Sequence, residues 1–233
     1  MKGVLYLIPV FLGDDCTLDQ LPSLNVSIIK SLKVFIVEEI RTARRFLKKV
    51  DKSIVIEDLT FFELNEHTKP DELHRFIDIM SKNNIGLMSE AGVPCVADPG
   101  SAIVRLAHAQ QIKVVPLTGS SSILLALMAS GLNGQNFAFN GYLPIKSDER
   151  LKKIKFFEKR IFAEKQTQIF IEAPYRNNQL LADIVSICEP NSLLCIACDL
   201  TLPTEYVETH TISAWRNKLP DLNKKPAILL LGN

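Results

Sequence analysis

The stretch Ser89-Glu90-Ala91-Gly92-Val93-Pro94-Cys95-Val96-Ala97-Asp98-Pro99-Gly100 follows directly on the short apolar run Ile85 to Met88. An apolar run of that length, closed by glycine and proline, reads as a buried strand, so the stretch leaves a strand's carboxyl end. Gly92 and Gly100 let the backbone approach a ligand closely, while Pro94 and Pro99 stiffen it. Loops in this position are where open α/β sheets bind their ligands. A second reading needs no ligand: Asp98 caps a helix whose first residue is Pro99, and the loop is a structural βα turn. On these residues alone both readings stand.

Outward from this loop, the first half alternates between two patterns. Val4 to Ile8, Val34 to Val37, Ile54 to Ile56 and Lys113 to Val115 are further short apolar runs. Helical spacing lies between them; in the clearest case Pro70 opens a turn with Asp71 and Glu72, and Leu73, Phe76, Ile77 and Met80 share a face. Strands apolar throughout and separated by helices predict a doubly wound parallel sheet covered on both faces, over residues 1–116. In the second half, Gln168 to Ile171, Leu193 to Cys198, Glu205 to Thr211 and Ala227 to Leu231 read as strands. The run Glu205 to Thr211 alternates polar and apolar residues, which predicts a mixed sheet with antiparallel members in an α/β domain over residues 117–233. The joint is expected near Pro116 to Gly119, with Ser120 to Ser122 capping a new helix and an active cleft between the two domains.

Composition removes several classes. Hydrophobic residues make up 47% of the 233 residues and charged residues 23%, too much apolar surface for a disordered chain. Twenty-seven basic against 26 acidic residues leave a net charge of +1, so any nucleic-acid contact must use local basic surface. Two stretches qualify: Arg41, Arg44, Arg45, Lys48, Lys49 and Lys52, and Lys146, Arg150, Lys152, Lys153, Lys155, Lys159 and Arg160. Such runs are otherwise solvated helix faces. The longest apolar stretch after the N-terminus, Ile123 to Ala129, is far short of the about 20 residues a membrane helix needs. Residues Gly3 to Gly13 resemble a short signal core, but Gly13-Asp14-Asp15 is no cleavage site, and a buried first strand is the expectation. Cys16, Cys95, Cys188, Cys195 and Cys198 are odd in number and scattered, which fits a reducing, cytoplasmic compartment. Cys195 and Cys198 have metal-pair spacing, but within one strand they face opposite sides, so no metal is expected.

A second cluster, Pro116-Leu117-Thr118-Gly119-Ser120-Ser121-Ser122, places glycine and hydroxyls before an apolar run. It reads either as donors for a polar ligand group or as a well-capped helix. Neither cluster is a phosphate-binding fingerprint, since G-x-G-x-x-G and G-x-x-x-x-G-K-[ST] are both absent. The ordered set of motifs, however, resembles the tetrapyrrole-methylase superfamily. It is most similar to the branch that methylates the ribose 2′-hydroxyl of a cytidine in small-subunit ribosomal RNA. That branch carries a Ser-Asp-Ala-Gly-Thr-Pro-like loop ending in Asp-Pro-Gly, here Ser89 to Pro94 and Asp98 to Gly100. A Pro-x-x-Gly-x-Ser segment follows, here within Pro116 to Ser122, then Ala129 to Leu132 and Gly141 to Pro144. Fainter echoes are Asn65-Glu66-His67, Ile171 to Arg176 and Asp199-Leu200-Thr201.

The chain departs from that pattern in places. Pro9-Val10-Phe11-Leu12-Gly13-Asp14 stands for a Thr-Pro-Ile-Gly-Asn-Leu-like loop, and Glu38-Glu39-Ile40-Arg41 for Glu-Asp-Thr-Arg. Lys224-Lys225-Pro226-Ala227 stands for a Lys/Arg-Gly-Glu, and the sequence ends at the last expected strand, where the ribosomal branch commonly continues.

The resemblance implies a two-domain fold, a homodimer and an S-adenosylmethionine-dependent methyltransferase acting on ribosomal RNA or the small ribosomal subunit. It implies cofactor contacts at Pro9, Ser89, Glu90, Ala91, Gly92, Val93, Ser121, Ser122, Leu143, Leu200 and Ala227. A hydroxyl acceptor needs a proton acceptor within hydrogen-bond reach. Glu39, His67, Glu90 and Glu172 are the candidates, and Arg41 and Arg176 suit a phosphate; Glu90 and Arg41 are the expected catalytic pair. A methyltransferase for a tetrapyrrole-like small molecule, or a non-catalytic ligand-binding module on the same scaffold, are the competing readings.

Overall fold

Phe35 and Val37 face one way from their strand and Ile36 the other, and all three are buried. This is the mark of a strand covered on both sides. In the computed structural model, which describes residues 2–65 and 67–233, the chain forms two compact units, Met1–Ser121 and Ser122–Asn233.

The first unit holds β1 (Val4–Leu7), α1 (Ser23–Ser31), β2 (Val34–Val37), α2 (Ile40–Val50), β3 (Thr60–Glu63), α3 (His74–Lys82), β4 (Ile85–Met88), α4 (Ser101–Ala109) and β5 (Lys113–Pro116). The strands make one fully parallel sheet in the order β3-β2-β4-β1-β5. Ile29 of α1 and Ala43, Phe46, Leu47 and Val50 of α2 pack with Ile8, Phe35 and Val37 on one face. Phe76 and Met80 of α3 and Ile103 and Ala107 of α4 pack with Leu5, Ile36 and Ile85 on the other. The sheet is doubly wound, as expected. The chain leaves β1 for the first face and β4 for the second, and these two strands are neighbours. Adjacent connections that part to opposite faces open a crevice at the carboxyl ends, the usual ligand position in such sheets.

The expected third strand is misplaced. Ile54 to Ile56 enters a 3-10 turn at Ile56–Asp58, and Ile54 and Ile56 pack against the α1–α2 side of the core. The strand is Thr60–Glu63, whose Phe61 stacks on Phe35 at 5.8 Å and whose Phe62 meets Phe76 at 6.4 Å. Aromatic side chains on both faces of the sheet outweigh the shorter β-branched run.

The second unit holds α5 (Ser122–Ser130), β6 (Phe137–Tyr142), α6 (Ser147–Glu164), β7 (Thr167–Ile171), α7 (Asn177–Ile187), β8 (Leu193–Cys198), β9 (Tyr206–Thr211), α8 (Ile212–Trp215) and β10 (Ala227–Gly232). Its sheet runs β6-β7-β10-β8-β9 and is mixed: β6 and β7 are parallel, and β10 is antiparallel to both β7 and β8. The edge strand β6 was not anticipated. Its Asn140-Gly141 reads as a turn, and the register does slip between Phe139 and Tyr142, with Gly141 at φ 64°. Cys198 points into the α6–α7 side of the core, and burial pushes its thiol up to about 11; burial raises Cys195 as well. Protonated, buried thiols behave as small apolar side chains, as the reading of this pair expected.

One basic residue does structural work. Arg150, expected on a solvent-facing basic stretch, is buried: Nε donates to Asp183 Oδ2 at 2.6 Å, and Nη1 donates to the carbonyls of Pro144 and Ile145. It thereby ties the segment after β6 to α7. Removing one partner of a buried pair strands the other charge. Asp183→Ala is therefore expected to lower the unfolding free energy by about 3–5 kcal/mol in urea titrations. A change below about 1 kcal/mol, the size of an exposed pair, would show that Arg150 is not desolvated.

Candidate active site

The crevice at β1 and β4 is built by three loops pressed together. After β1 the amide of Val10 donates to the Gly92 carbonyl at 2.9 Å, so the β1 and β4 loops continue side by side beyond the sheet. After β5, Leu117 N–H donates to Leu7 O at 3.0 Å, and the buried Asn25 of α1 donates through Nδ2 to Thr118 O at 2.8 Å. Gly92 sits at φ 70°, and a Cβ there would lie 3.0 Å from Leu12 Cδ2 and 3.2 Å from Ser120 O. Only glycine accepts both the left-handed backbone and the lack of space. At Gly119 a Cβ would run into the Pro9 ring. Pro9, Gly92 and Ser120 thus meet at one point, which brings the unit's expected cofactor contacts, Pro9, Ser89 to Val93 and Ser121, to the same crevice.

The loop after β4 is braced from within. Asp98 takes the Cys95 amide on Oδ2 and the Gly100 amide on Oδ1, both at 2.7 Å. The regular helix α4 starts at Ser101, but the Gly100 backbone before it is already helical, and Asp98 accepts its amide as a cap would, with Pro99 between them. The Asp98 carboxylate also holds a loop in which Cys95 (φ 71°) and Ala97 (φ 62°) take left-handed conformations unfavourable to them. Among the described residues, the amides of Ala91, Gly92 and Val93 donate to no acceptor. Three consecutive unpaired donors at a strand's carboxyl end are a ready cradle for a ligand's acceptor atoms.

The charged candidates separate by what already holds them. Glu39 accepts the Arg41 and Thr42 amides at 2.7 and 2.8 Å and caps α2. The Arg41 amide bond, chief among these, holds its carboxyl below the usual range. Glu172 is buried in an ion pair with Arg176 and also accepts the Ala173 amide at 2.8 Å. His67 is exposed, with its amide turned onto Asn65 Oδ1 at 3.0 Å; its neighbour Glu66 lies outside the described residues. Glu90 remains exposed at the crevice, taking the Thr42 hydroxyl at 2.5 Å, while its amide donates to Glu38 Oε2 at 3.3 Å. Arg41 is exposed one residue from Thr42, on the first turn of α2.

Beside Glu90 lies a cleft of about 130 Å³ lined by Phe11, Thr42, Arg45, Phe46 and Lys49. Phe11 meets Phe46 edge-on at 5.3 Å, and the Lys49 ammonium stands 5.1 Å from the Phe11 ring centre. The reading of the residues did not single out Thr42 or Phe46. Their signal was the spacing 42, 45, 46, 49, one stripe of α2.

In the second unit the expected contacts gather at the rim of the sheet. The Asp199 amide donates to Pro226 O at 3.0 Å, which sets Leu200 beside Ala227, the first residue of β10. Leu143 and Ala227 belong to one buried cluster, and Leu200 is buried as well. Ser122 opens α5. Among the described residues no group of three or more His, Cys, Asp or Glu is placed to hold a metal ion, and no helix is long and apolar enough to cross a membrane.

No family model matches the chain. It is 31% identical over 231 residues to ribosomal RNA small subunit methyltransferase I of Streptococcus pyogenes serotype M3, covering 99% of this chain and 76% of the relative. The enzyme of the same name from Buchnera aphidicola subsp. Baizongia pistaciae is 29% identical over 209 residues, covering 90% and 68%. That of Pasteurella multocida is 26% identical over 235 residues, covering 99% and 79%. In fold, the chain is similar to the methyltransferase CobJ, with a TM-score of 0.65 at 16% identity over 100% of this chain and 95% of that one. Native uroporphyrin III C-methyltransferase from Thermus thermophilus gives 0.60 at 16%, over 99% and 98%.

The Glu39 cap predicts a pH signature. A carboxyl whose folded pKa is lowered adds stability that is complete above its unfolded value, about 4.3, and is lost as pH falls through the folded value. Glu39→Gln should therefore melt below the unaltered protein at neutral pH, with the gap closing as pH drops below about 4. Thermal melts between neutral and acid pH check this; a gap constant across that range would remove Glu39 from the role.

Proposed function

Because the chain belongs to the ribosomal RNA small subunit methyltransferase I family, with the fold of the tetrapyrrole methylases, we propose that it transfers a methyl group from S-adenosylmethionine to a ribose 2′-hydroxyl of small-subunit ribosomal RNA. The chain is a methyltransferase; donor, acceptor atom and residue roles are the proposal. The observation that carries it is the likeness to the streptococcal relative over nearly the whole chain. The crevice supports it: among the described residues the amides of Ala91, Gly92 and Val93 are unpaired, and the close approach of Leu12 and Ser120 to Gly92 leaves room for backbone only, which suits a cofactor held by backbone groups. When bound, S-adenosylmethionine supplies an electrophilic methyl group. In this reading Pro9, Ser89 to Val93 and Ser121 hold it within the first unit, and the resemblance alone assigns Ser122, Leu143, Leu200 and Ala227 to cofactor contact.

The residues' own chemistry then divides simply. Methyl transfer requires the acceptor oxygen to be aligned and its proton to find an acceptor. Glu90 is the carboxylate not committed to a cap or buried pair, and Thr42 fixes the direction of one of its oxygens. We assign it proton acceptance from the hydroxyl, and Arg41 a bidentate grip on an adjacent phosphate. Arg45 and Lys49 extend the positive charge along the α2 face. The proposal includes a homodimer, for which the exposed Leu124 and Met128 of α5, Tyr142 at the end of β6 and Ile145 beyond it supply apolar surface. It also includes a cytoplasmic location, supported by scattered cysteines held protonated by burial.

Tritiated methyl transfer to undermethylated small ribosomal subunits is the direct test, with a porphyrinogen as competing acceptor. Label in the porphyrinogen and not in the subunit would replace the RNA reading with a small-molecule one. Glu90→Gln is expected to lower kcat by about 10²–10⁴-fold while leaving cofactor affinity unchanged. Calorimetry on Gly92→Trp should show no cofactor binding, because the side chain would collide with Leu12 and Ser120 and push the loop's amides out of place; undiminished affinity there would sink the backbone cradle.

A further inference from the structure

Helix α6 turns Arg150, Ile154, Phe157 and Ile161 into the second unit's core. The opposite face carries Lys152, Phe156 and Lys159, spaced four and three residues apart and so aligned in one row. All three are exposed, and Phe156 shows 51% of its surface to solvent. They border an open groove of about 540 Å³ whose apolar floor is completed by Leu151 of the same helix and Ile187 of α7. Of the seven cations expected on this stretch, four are spoken for. Arg150 is buried on Asp183, Lys146 pairs with Glu149, Lys155 with Glu158 and Glu189, and Arg160 with Glu164. Among the described residues, Lys152 and Lys159 have no acidic partner. Lys153 stands 5.4 Å from the centre of the Phe156 ring. Two acids face the groove: Asp148 at its N-terminal end, and Glu189 held by Lys155.

We infer that this groove is a docking surface for a single-stranded RNA segment, with one unstacked base lying on Phe156 and the flanking phosphates on Lys152 and Lys159. An exposed aromatic ring between two unpaired cations matches the two recognition elements of single-stranded nucleic acid, a π-face for the base and positive charge for the backbone. A duplex would offer no free base to the ring, and an acidic protein surface would have no use for it. The inference rests on the reading of the protein as an RNA methyltransferase and adds a contact, made wholly within the second unit, that no step of methyl transfer uses.

The test has two arms. Anisotropy of a labelled single-stranded oligoribonucleotide, titrated at several salt concentrations, reads the groove without any methyl transfer. Phe156→Ala should weaken binding by roughly five- to a hundredfold, and Phe156→Trp should restore it. Lys152→Gln with Lys159→Gln should flatten the salt slope by about 1.4, the sum for two phosphates on a single strand. All three variants alter exposed side chains, so their melts should match the unaltered protein. In the second arm, methyl transfer to small subunits should show a raised KM with kcat unchanged. If Phe156→Ala binds the oligoribonucleotide as well as the unaltered protein, or if Phe156→Trp fails to rescue, the groove is a solvated charged face and the inference falls. Equal loss of binding to single-stranded and duplex RNA would also overturn it, because the ring would then read no base. Absence of any methyl transfer by the unaltered protein would count against the enzymatic reading alone, and the binding arm would still decide the groove.

Discussion

The chemistry available to the first unit depends on a crowding of backbone at one point, where Gly92 lies against Leu12 and Ser120 and binds the Val10 amide through its carbonyl. Three loops from three parallel strands meet there because β1 and β4 are neighbours whose connections part to opposite faces of the sheet. Each loop arrives with amides that the sheet no longer satisfies. Packing pairs some of them across loops and, among the described residues, leaves the amides of Ala91, Gly92 and Val93 without an acceptor. The loop that carries these amides is held by the Asp98 carboxylate, which accepts the Cys95 and Gly100 amides and lines, with Glu38 and Ser89, a small pocket at the carboxyl ends of β2 and β4.

Charge is distributed by the same economy of position. A net charge of +1 hides cations of very different standing. Arg150 is part of the core, a guanidinium filling its hydrogen-bonding capacity on Asp183 and two carbonyls. Arg44 lies 5.5 Å from the Phe61 ring centre, and Lys49 covers Phe11 while donating to the Asp14 carbonyl. The carboxylates sort likewise into a helix cap at Glu39, a buried partner at Glu172 and an exposed, loosely held group at Glu90. Sorting by existing partners separates structural charge from charge still available to a ligand, and the exposed stretch counts of the bare sequence do not.

The parallel sheet was legible because its central strands are apolar on both faces and its helices carry a single apolar face, so pattern and burial coincide in β2 and β4, while β1 and the edge strand β5 are only partly covered. It was less legible at the edges. The strand Thr60–Glu63 was passed over for Ile54 to Ile56, because the β-branched run resembles a strand while the real one draws its stability from Phe61 and Phe62 reaching neighbours distant in sequence. The strand Phe137–Tyr142 was hidden by the Asn140-Gly141 step, which the fold uses as a bulge. At the site, the glycine- and proline-rich loop announced itself through conformations only those residues favour. Thr42, Glu38 and Phe46 did not, because their contacts to Glu90 and Phe11 join segments about fifty and thirty-five residues apart, beyond what local pattern expresses.

A cradle made of backbone amides places few demands on side chains. At 16% identity to CobJ nearly every side chain differs, yet the architecture is kept over the full chain. Backbone donors are indifferent to side-chain identity except where a Cβ would intrude, as it would at Gly92 and Gly119. The first-strand loop fits this rule: Phe11 and Leu12 occupy positions with altered side chains, while Val10 still supplies the amide that meets Gly92. What those altered side chains change is the wall of the cleft beside Glu90, where Phe11 now packs on Phe46 beneath Lys49. Main-chain donors leave the aromatic and cationic residues beside them free to differ, so in the proposed reading the choice of acceptor falls to Phe11, Arg45, Phe46 and Lys49.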